Sequence, residues 1–264
     1  METKCFILEK KDHVAVLKLN RPEKMNAIND EMRESLPHIL QEIQADDNIR
    51  AVILTGEGRG FCSGEDVAVQ SDHADGRIVE TSRQSLFQLA GSIVLPFEKL
   101  NKPIIAAVNG IAVGSGLAIA LVCDIRIASA NARFSSIWVK RGLVADGGAS
   151  LLLPLSVGME KALELCFTGE LINAQEAERI RLVSKVVPPE ELMHQANELA
   201  QKIASMPPIA MELVKKIMWE KIRNQLREQL LLESYAKSIC RTTQDHKEAV
   251  NAFMEKRDPI FKGL

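Results

Sequence analysis

The stretch Lys102-Pro-Ile-Ile-Ala-Ala-Val-Asn-Gly-Ile-Ala-Val-Gly-Ser-Gly-Leu-Ala-Ile-Ala-Leu-Val-Cys-Asp-Ile-Arg-Ile-Ala-Ser129 decides the fold class. Its opening apolar run, Pro103–Val108, is short and reads as a buried strand. Asn109–Ser115 carries the glycines of a turn, Gly116–Cys123 reads as a helix, and Asp124–Ala128 as a second strand. Strand, helix and strand in so short a span imply parallel pairing and an α/β core. The same order starts earlier: a buried strand at Ala51–Thr55, a glycine-rich turn at Gly56–Gly64, then a helix from about Arg77 to Leu100. Further upstream, Cys5–Leu8 and Val14–Leu19 flank Asp12-His13 and predict a hairpin. Between hairpin and core, Asn29–Ala45 places Met32, Leu36, Ile39, Leu40 and Ile43 at helical spacing, with Pro37 set against its continuity. From Ala174 onward every pattern reads as helical, opened by Asn173 and Glu176 as a capping pair. Helices are expected at Glu190–Ala204, Pro208–Arg223, Gln225–Ile239 and Gln244–Lys256, and their apolar faces suit packing on another subunit.

Composition removes several classes of function. The net charge of -2 on 264 residues offers neither the basic excess of a nucleic-acid binder nor an acidic tail. The five cysteines, Cys5, Cys62, Cys123, Cys166 and Cys240, form no CxxC and no cysteine–histidine cluster, which argues against zinc and iron–sulfur sites. Such scattered cysteines fit thiols in a reducing cytoplasm. Met1–Lys10 is too charged for a signal peptide, and runs such as Leu117–Cys123 fall far short of the ~20 apolar residues that span a membrane. A soluble cytoplasmic protein without metal, membrane or nucleic-acid partner is expected.

Two turns can carry chemistry: Gly56-Glu-Gly-Arg-Gly-Phe-Cys-Ser-Gly-Glu-Asp66 and Asn109-Gly-Ile-Ala-Val-Gly-Ser-Gly116, each following a buried strand. Glycine permits sharp turns and close approach of a ligand, and a helix N-terminus presents unpaired N–H groups with positive partial charge. Facing one another, the turns could give two N–H donors to one developing oxyanion; loss of one such donor typically costs ~100- to 1000-fold in rate. Either alone could be a plain tight connection. A dinucleotide fingerprint is disfavoured because Ile119 stands where its third glycine would be.

Arg21-Pro-Glu-Lys-Met-Asn-Ala-Ile28, Gly60-Phe-Cys-Ser-Gly-Glu-Asp66, Lys102–Gly110 and Cys123-Asp-Ile-Arg-Ile-Ala-Ser129 together resemble the crotonase (enoyl-CoA hydratase/isomerase) family in order and spacing. The resemblance continues through Phe134, Gly142-Leu-Val-Ala-Asp-Gly-Gly148 and Thr168-Gly169 to Ala252-Phe-Met-Glu-Lys-Arg257, nearly the whole chain. It implies a spiral of ββα units over residues 1–200 and a C-terminal helical trimerisation region over 201–264. Homotrimers, or hexamers made of two trimers, follow from it, as does an acyl-CoA thioester substrate with no cofactor beyond that coenzyme A. By resemblance, the oxyanion donors are the amides of Ser63 and Ser115, the latter where the family usually has glycine. Lys24, Met25 and Ala27 match the loop around adenine and pantetheine; Ser63, Gly64 and Asp66 match the second wall. Phe253 and Lys256 match positions that reach a nucleotide, often one on a neighbouring subunit, although without the family Lys24 and Lys256 would read as solvated lysines.

The same resemblance bears on the reaction. A hydratase of the family uses two glutamates, and their places are taken here by Ala118 and Trp138, neither of which transfers protons. Asp146 remains. It could be a helix N-cap, as Asp before Gly-Gly and an apolar run often is, but isomerases of the dienoyl-CoA and phenylacetate-pathway types carry an aspartate at this place. Moving a double bond along an enoyl thioester needs one base that removes a proton and returns it two carbons away. Trp138 is either a core aromatic or a wall for a flat acyl group. Dehalogenases of the family also pair a tryptophan with an aspartate there but need a histidine, and none lies between His73 and His194. Double-bond isomerisation with Asp146 as base is therefore expected. The rivals are a hydratase using Asp146, a hydrolase, and a non-catalytic acyl-CoA-binding protein. The acyl group itself would be set by the segment around Val67–Leu95.

Overall fold

A computed structural model describes residues 4–66 and 93–264. Most of the helix expected at Arg77–Leu100, and of the segment expected to line the acyl pocket, lies outside the described residues. The described end of that helix is a 3-10 turn, Leu95–Lys99.

β1 (Phe6–Lys11) and β2 (Val14–Leu19) form the expected antiparallel hairpin. Asp12 and His13 hold φ of 48° and 66° at its tip, the left-handed pair whose twist suits a two-residue hairpin. α1 (Asp30–Ala45) is capped by Asn29, whose side chain accepts from the Met32 amide at 3.0 Å. It runs on through Pro37. An interior proline costs about 3 kcal/mol, and burial of Met32, Leu36, Leu40 and Ile43 on the inner face, at roughly 1.5–3 kcal/mol each, exceeds that.

β3 (Ala51–Gly56), β4 (Ile104–Val108), β6 (Ile125–Ser129) and β9 (Lys185–Val187) extend the hairpin into a six-stranded sheet of order β1-β2-β3-β4-β6-β9, parallel beyond the hairpin. Every residue of β3 and β4 is buried, because α6 (Leu192–Ala204) covers one face with Leu192, Ala196, Ala200 and Ala204 while the main core covers the other. A smaller sheet joins β5 (Ile111–Val113), β7 (Arg133–Ser135) and β8 (Ile172–Asn173). Cys62 adds a parallel bridge to Ala112 at its rim. Three successive passes thus place one strand in each sheet: β3 then Cys62, β4 then β5, β6 then β7. The last two passes end in α2 (Ser115–Val122) and in α3 (Ala149–Val157) with α4 (Met159–Thr168). This is the ββα spiral.

The tail differs from the expected run of helices in two ways. After α5 (Ala174–Arg179), Lys185–Val187 is a strand, not helix; three residues are too few to show a period, and its pairing with β6 decides its state. Residues 208–242 form one helix, α7 (Pro208–Thr242), where two were expected. Asn224 lacks the glycine or proline that would stop it. α7 leaves Ile209, Ile217, Met218, Leu232 and Tyr235 each more than 60% exposed. α8 (Gln244–Met254) starts at Thr243, whose side chain accepts from the His246 amide. No helix among the described residues is long and apolar enough to cross a membrane.

Candidate active site

The first wall is built by a loop that folds on one asparagine. After the 3-10 turn Pro22–Lys24, Met25 and Asn26 take left-handed φ of 48° and 57°. The fully buried Asn26 side chain accepts from the Arg21 amide (2.8 Å) and donates to the carbonyls of Glu57 (3.0 Å) and Gly60 (2.8 Å). That carboxamide ties the loop to the first glycine-rich turn and so places Lys24, Met25 and Ala27. Arg21 closes the corner by donating to the Ala27 carbonyl and to Asp66 at 2.9 Å.

The two glycine-rich turns meet backbone to backbone. A Cβ on Gly116 would lie 2.1 Å from the Cys62 carbonyl oxygen, and one on Gly110 would lie 2.1 Å from that of Arg59. Gly64, at φ +91°, puts the same position 3.7 Å from the Ser115 nitrogen. Ser115 opens α2, so its N–H has no acceptor within its own helix. Ser63 departs from expectation: its amide donates to the Met25 carbonyl at 3.0 Å. Beside it, Ile28 and Glu65 form a parallel bridge that uses the Gly64 carbonyl and the Asp66 amide. The Glu65 amide therefore points away from Ile28, since strand amides alternate in direction. Composition locates the turn; only this alternation tells its amides apart.

Burial pushes the Cys62 thiol, between the turns, up to about 12, and likewise the Cys123 thiol at the far end of α2. Both stay protonated and unreactive. Native protein treated with iodoacetamide at pH 8 is expected to remain unlabelled at Cys62 and Cys123 until denaturant is added, as read by peptide mass mapping.

A cavity of about 490 Å³ lies between these walls, lined by Lys24, Met25, Ala27, Ser63, Gly64, Asp66, Ser115, Trp138 and Phe253 among others. Nine of the expected site residues thus share one hollow. Lys256 does not; it is exposed just beyond α8 at a left-handed φ of 56°. Glu65, Arg141 and Lys237 line the cavity without having been expected there. Arg141 stands 3.7 Å from the centroid of the Phe253 ring, a cation–π contact at the wall.

Asp146 lies behind this wall, 2% exposed. It is not an N-cap. Gly148 occupies the cap position of α3, and the carboxylate that serves the helix end is Glu233 of α7. The Asp146 carboxylate instead accepts from the Trp138 indole N–H at 2.8 Å and pairs with the Lys237 ammonium. Lys237 also stands 3.7 Å from Glu65, which holds Arg33 at 2.6 Å. Trp138 is therefore a wall and a hydrogen-bond donor at once, while Ala118 is sealed in α2. A signal for Lys237 and Glu233 was present in the sequence. Leu226, Leu230, Glu233 and Lys237 follow a 4-3-4 spacing, which puts two charges on the buried stripe of α7.

Glu233 has a consequence for pH. Desolvation pushes its carboxyl up to about 7, against the bonds from Ser150 and Gly148 that favour its ionised form. The folded state then holds this proton more tightly than the unfolded chain, so the contribution is most favourable below about pH 4.5 and declines as pH rises to about 7. The decline amounts to about 3 kcal/mol. Glu233→Gln is expected to flatten that slope in urea melts between pH 5 and 8.

The comparisons agree with this geometry. The family model described as enoyl-CoA hydratase/isomerase matches residues 9–264. The chain is 42% identical over 259 residues to a short-chain-enoyl-CoA hydratase of Clostridium acetobutylicum, covering 97% of each chain. It is 37% identical over 250 residues to a 1,2-epoxyphenylacetyl-CoA isomerase of Escherichia coli, covering 95% of each. A crystal structure of an enoyl-CoA hydratase/isomerase from Pseudoalteromonas atlantica superposes with a TM-score of 0.87 at 33% identity, over 98% of this chain and 100% of that one. With its ββα spiral, its paired glycine-rich turns and a family match from residue 9 to residue 264, the chain belongs to the enoyl-CoA hydratase/isomerase, or crotonase, family.

Proposed function

We propose that the protein moves the double bond of an enoyl-CoA thioester, with Asp146 as the base. The observation that carries the reading is the pairing of Ala118 and Trp138, where a hydratase's glutamates would stand, with a carboxylate held just behind the cavity wall by Trp138 and Lys237, both of which line the cavity. The thioester oxygen would sit between the Ser115 amide and the first turn, where the Glu65 amide replaces Ser63 as the second donor. The base takes a proton from the carbon beside the conjugated system, the electron pair spreads onto the thioester oxygen, and the carboxyl, its proton exchangeable with solvent, delivers a proton two carbons away. Nothing is consumed, so the reaction draws on no cofactor beyond the coenzyme A of the substrate. Lys24 and Arg141, cations at the wall, suit the phosphates of that coenzyme A.

A second reading rests on Glu65, a residue that lines the cavity where Asp146 does not. There it could place a water for hydration. Asp146→Asn and Glu65→Gln, compared on 2-enoyl- and 3-enoyl-CoA with coenzyme A binding measured alongside, separate the readings. Isomerisation lost only in Asp146→Asn, with binding kept, supports the base. A water adduct lost in Glu65→Gln supports the hydratase. No turnover in the unaltered protein supports an acyl-CoA-binding protein without catalysis.

We further propose that the exposed apolar residues of α7 pack on other copies of the chain in a trimer or hexamer. Light scattering is expected to return the mass of three or six chains. A cytoplasmic setting is proposed from the five cysteines, all present as thiols.

A further inference from the structure

Helix α7 turns three polar side chains, each four residues from the next, onto the five residues 146–150. The Gln229 amide donates to the Ser150 hydroxyl at 2.8 Å. Glu233 accepts from the Gly148 amide (2.8 Å), the Ser150 amide (3.2 Å) and the Ser150 hydroxyl (2.5 Å). Lys237 pairs with the Asp146 carboxylate. Leu226 packs beneath them, so close to Gly148 that a Cβ there would lie 2.4 Å from its Cδ1.

These grips differ in kind. Gln229 and Glu233 hold Ser150 and the backbone at the start of α3, so the course of the loop is already secured without Lys237. The carboxylates of Asp146 and Glu65 are the groups that Lys237 faces. An ammonium that is 4% exposed is costly to withdraw from water and persists only against opposite charge. Two donors from different elements, the Trp138 indole on Oδ1 and Lys237 on Oδ2, meet the two oxygens of Asp146. Such a pair fixes the plane of a carboxylate and not merely its location.

We infer that Lys237 is a positioning residue for Asp146, fixing the rotation of its carboxylate from a place on α7 that lies 91 residues further along the chain. The inference rests on Asp146 as the base and adds to it. It makes the competence of that base depend on the docking of α7 over residues 146–150.

The chain's two tryptophans provide the test. Trp138 donates to Asp146, and Trp219 donates to Asp124 at 2.8 Å, itself paired with Lys215 at 2.8 Å. Trp219 is thus an internal control of the same design. Full-length protein and its Lys237→Met and Lys237→Arg variants are compared by the indole N–H resonances, without substrate, and by kcat and KM on a 3-enoyl-CoA. In Lys237→Met the Trp138 resonance is expected to shift and the Trp219 resonance to stay. Its kcat should fall at least ~10-fold, part of the ~100- to 10,000-fold that a general base contributes, with KM nearly constant. Lys237→Arg should restore most of both. An unmoved Trp138 resonance, an unchanged kcat, or both resonances shifting together overturns the inference. Lys237→Gln carries the same test if the methionine variant does not fold. Turnover that survives Asp146→Asn overturns the underlying reading of the base, whereas an unmoved Trp138 resonance overturns the positioning role alone.

Discussion

Asp146→Asn is expected to lower kcat by ~100- to 10,000-fold while acyl-CoA binding stays close to that of the unaltered protein. The substitution keeps the shape of the side chain and removes its capacity to take a proton. It also changes the donor arithmetic. Trp138 and Lys237 both donate to this side chain, and an amide has one acceptor oxygen where the carboxylate has two. Whichever way the amide turns, one donor meets an NH2 group. The Lys237 ammonium keeps Glu65 at 3.7 Å, so the loss of stability should stay at about 1–3 kcal/mol, the cost of one unsatisfied buried donor. Steady-state kinetics beside calorimetric binding and a thermal melt separate these effects. Activity close to that of the unaltered protein would transfer the base to Glu65, an acidic residue of the cavity lining.

The second large effect belongs to Gly116. Its added Cβ would lie 2.1 Å from the Cys62 carbonyl oxygen and 2.8 Å from the carbonyl carbon, and no rotamer of a neighbour relieves a clash with backbone. Gly116→Ala must push the two turns apart. That movement strains the bonds that join them, from the Cys62 amide to the Ile111 carbonyl (2.8 Å) and from the Val113 amide to the Cys62 carbonyl (3.1 Å). A loss of about 3 kcal/mol or more is expected, at the upper end for overpacking. The folded fraction should also lose ~100- to 1000-fold in kcat, because the amides proposed to meet the thioester oxygen would no longer converge. Thermal melts and kinetics on the folded fraction measure the two losses separately.

How far such features could be read from the sequence depended on whether their cause was local. β3 and β4 are buried on both faces, so they stand out as unbroken apolar runs. β7 and β9 have three residues each, carry Arg133 and Lys185, and exist because a neighbour pairs with them. The glycine-rich turns declared themselves because a Cβ at Gly110 or Gly116 would strike a carbonyl. Which amide bonds back to the Met25 loop did not, since Ser63 and Glu65 differ only through the bridge to Ile28 and the bond to Met25. Asp146 was legible through family resemblance, and its burial was not. Its surroundings come from Trp138, eight residues before it, and from Lys237 on a helix that packs across it. The helix pattern around Asn224 allowed a break, but the backbone contains no residue that forces one.

The most direct test of the account is the mass of the product formed in D2O from 2-enoyl-, 3-enoyl- and cyclic dienoyl-CoA thioesters, for the unaltered protein and Asp146→Asn side by side. Isomerisation through Asp146 predicts deuterium in the product with no added water, and its loss in the variant. A product heavier by one water, or deuterium incorporation that survives Asp146→Asn, would contradict it.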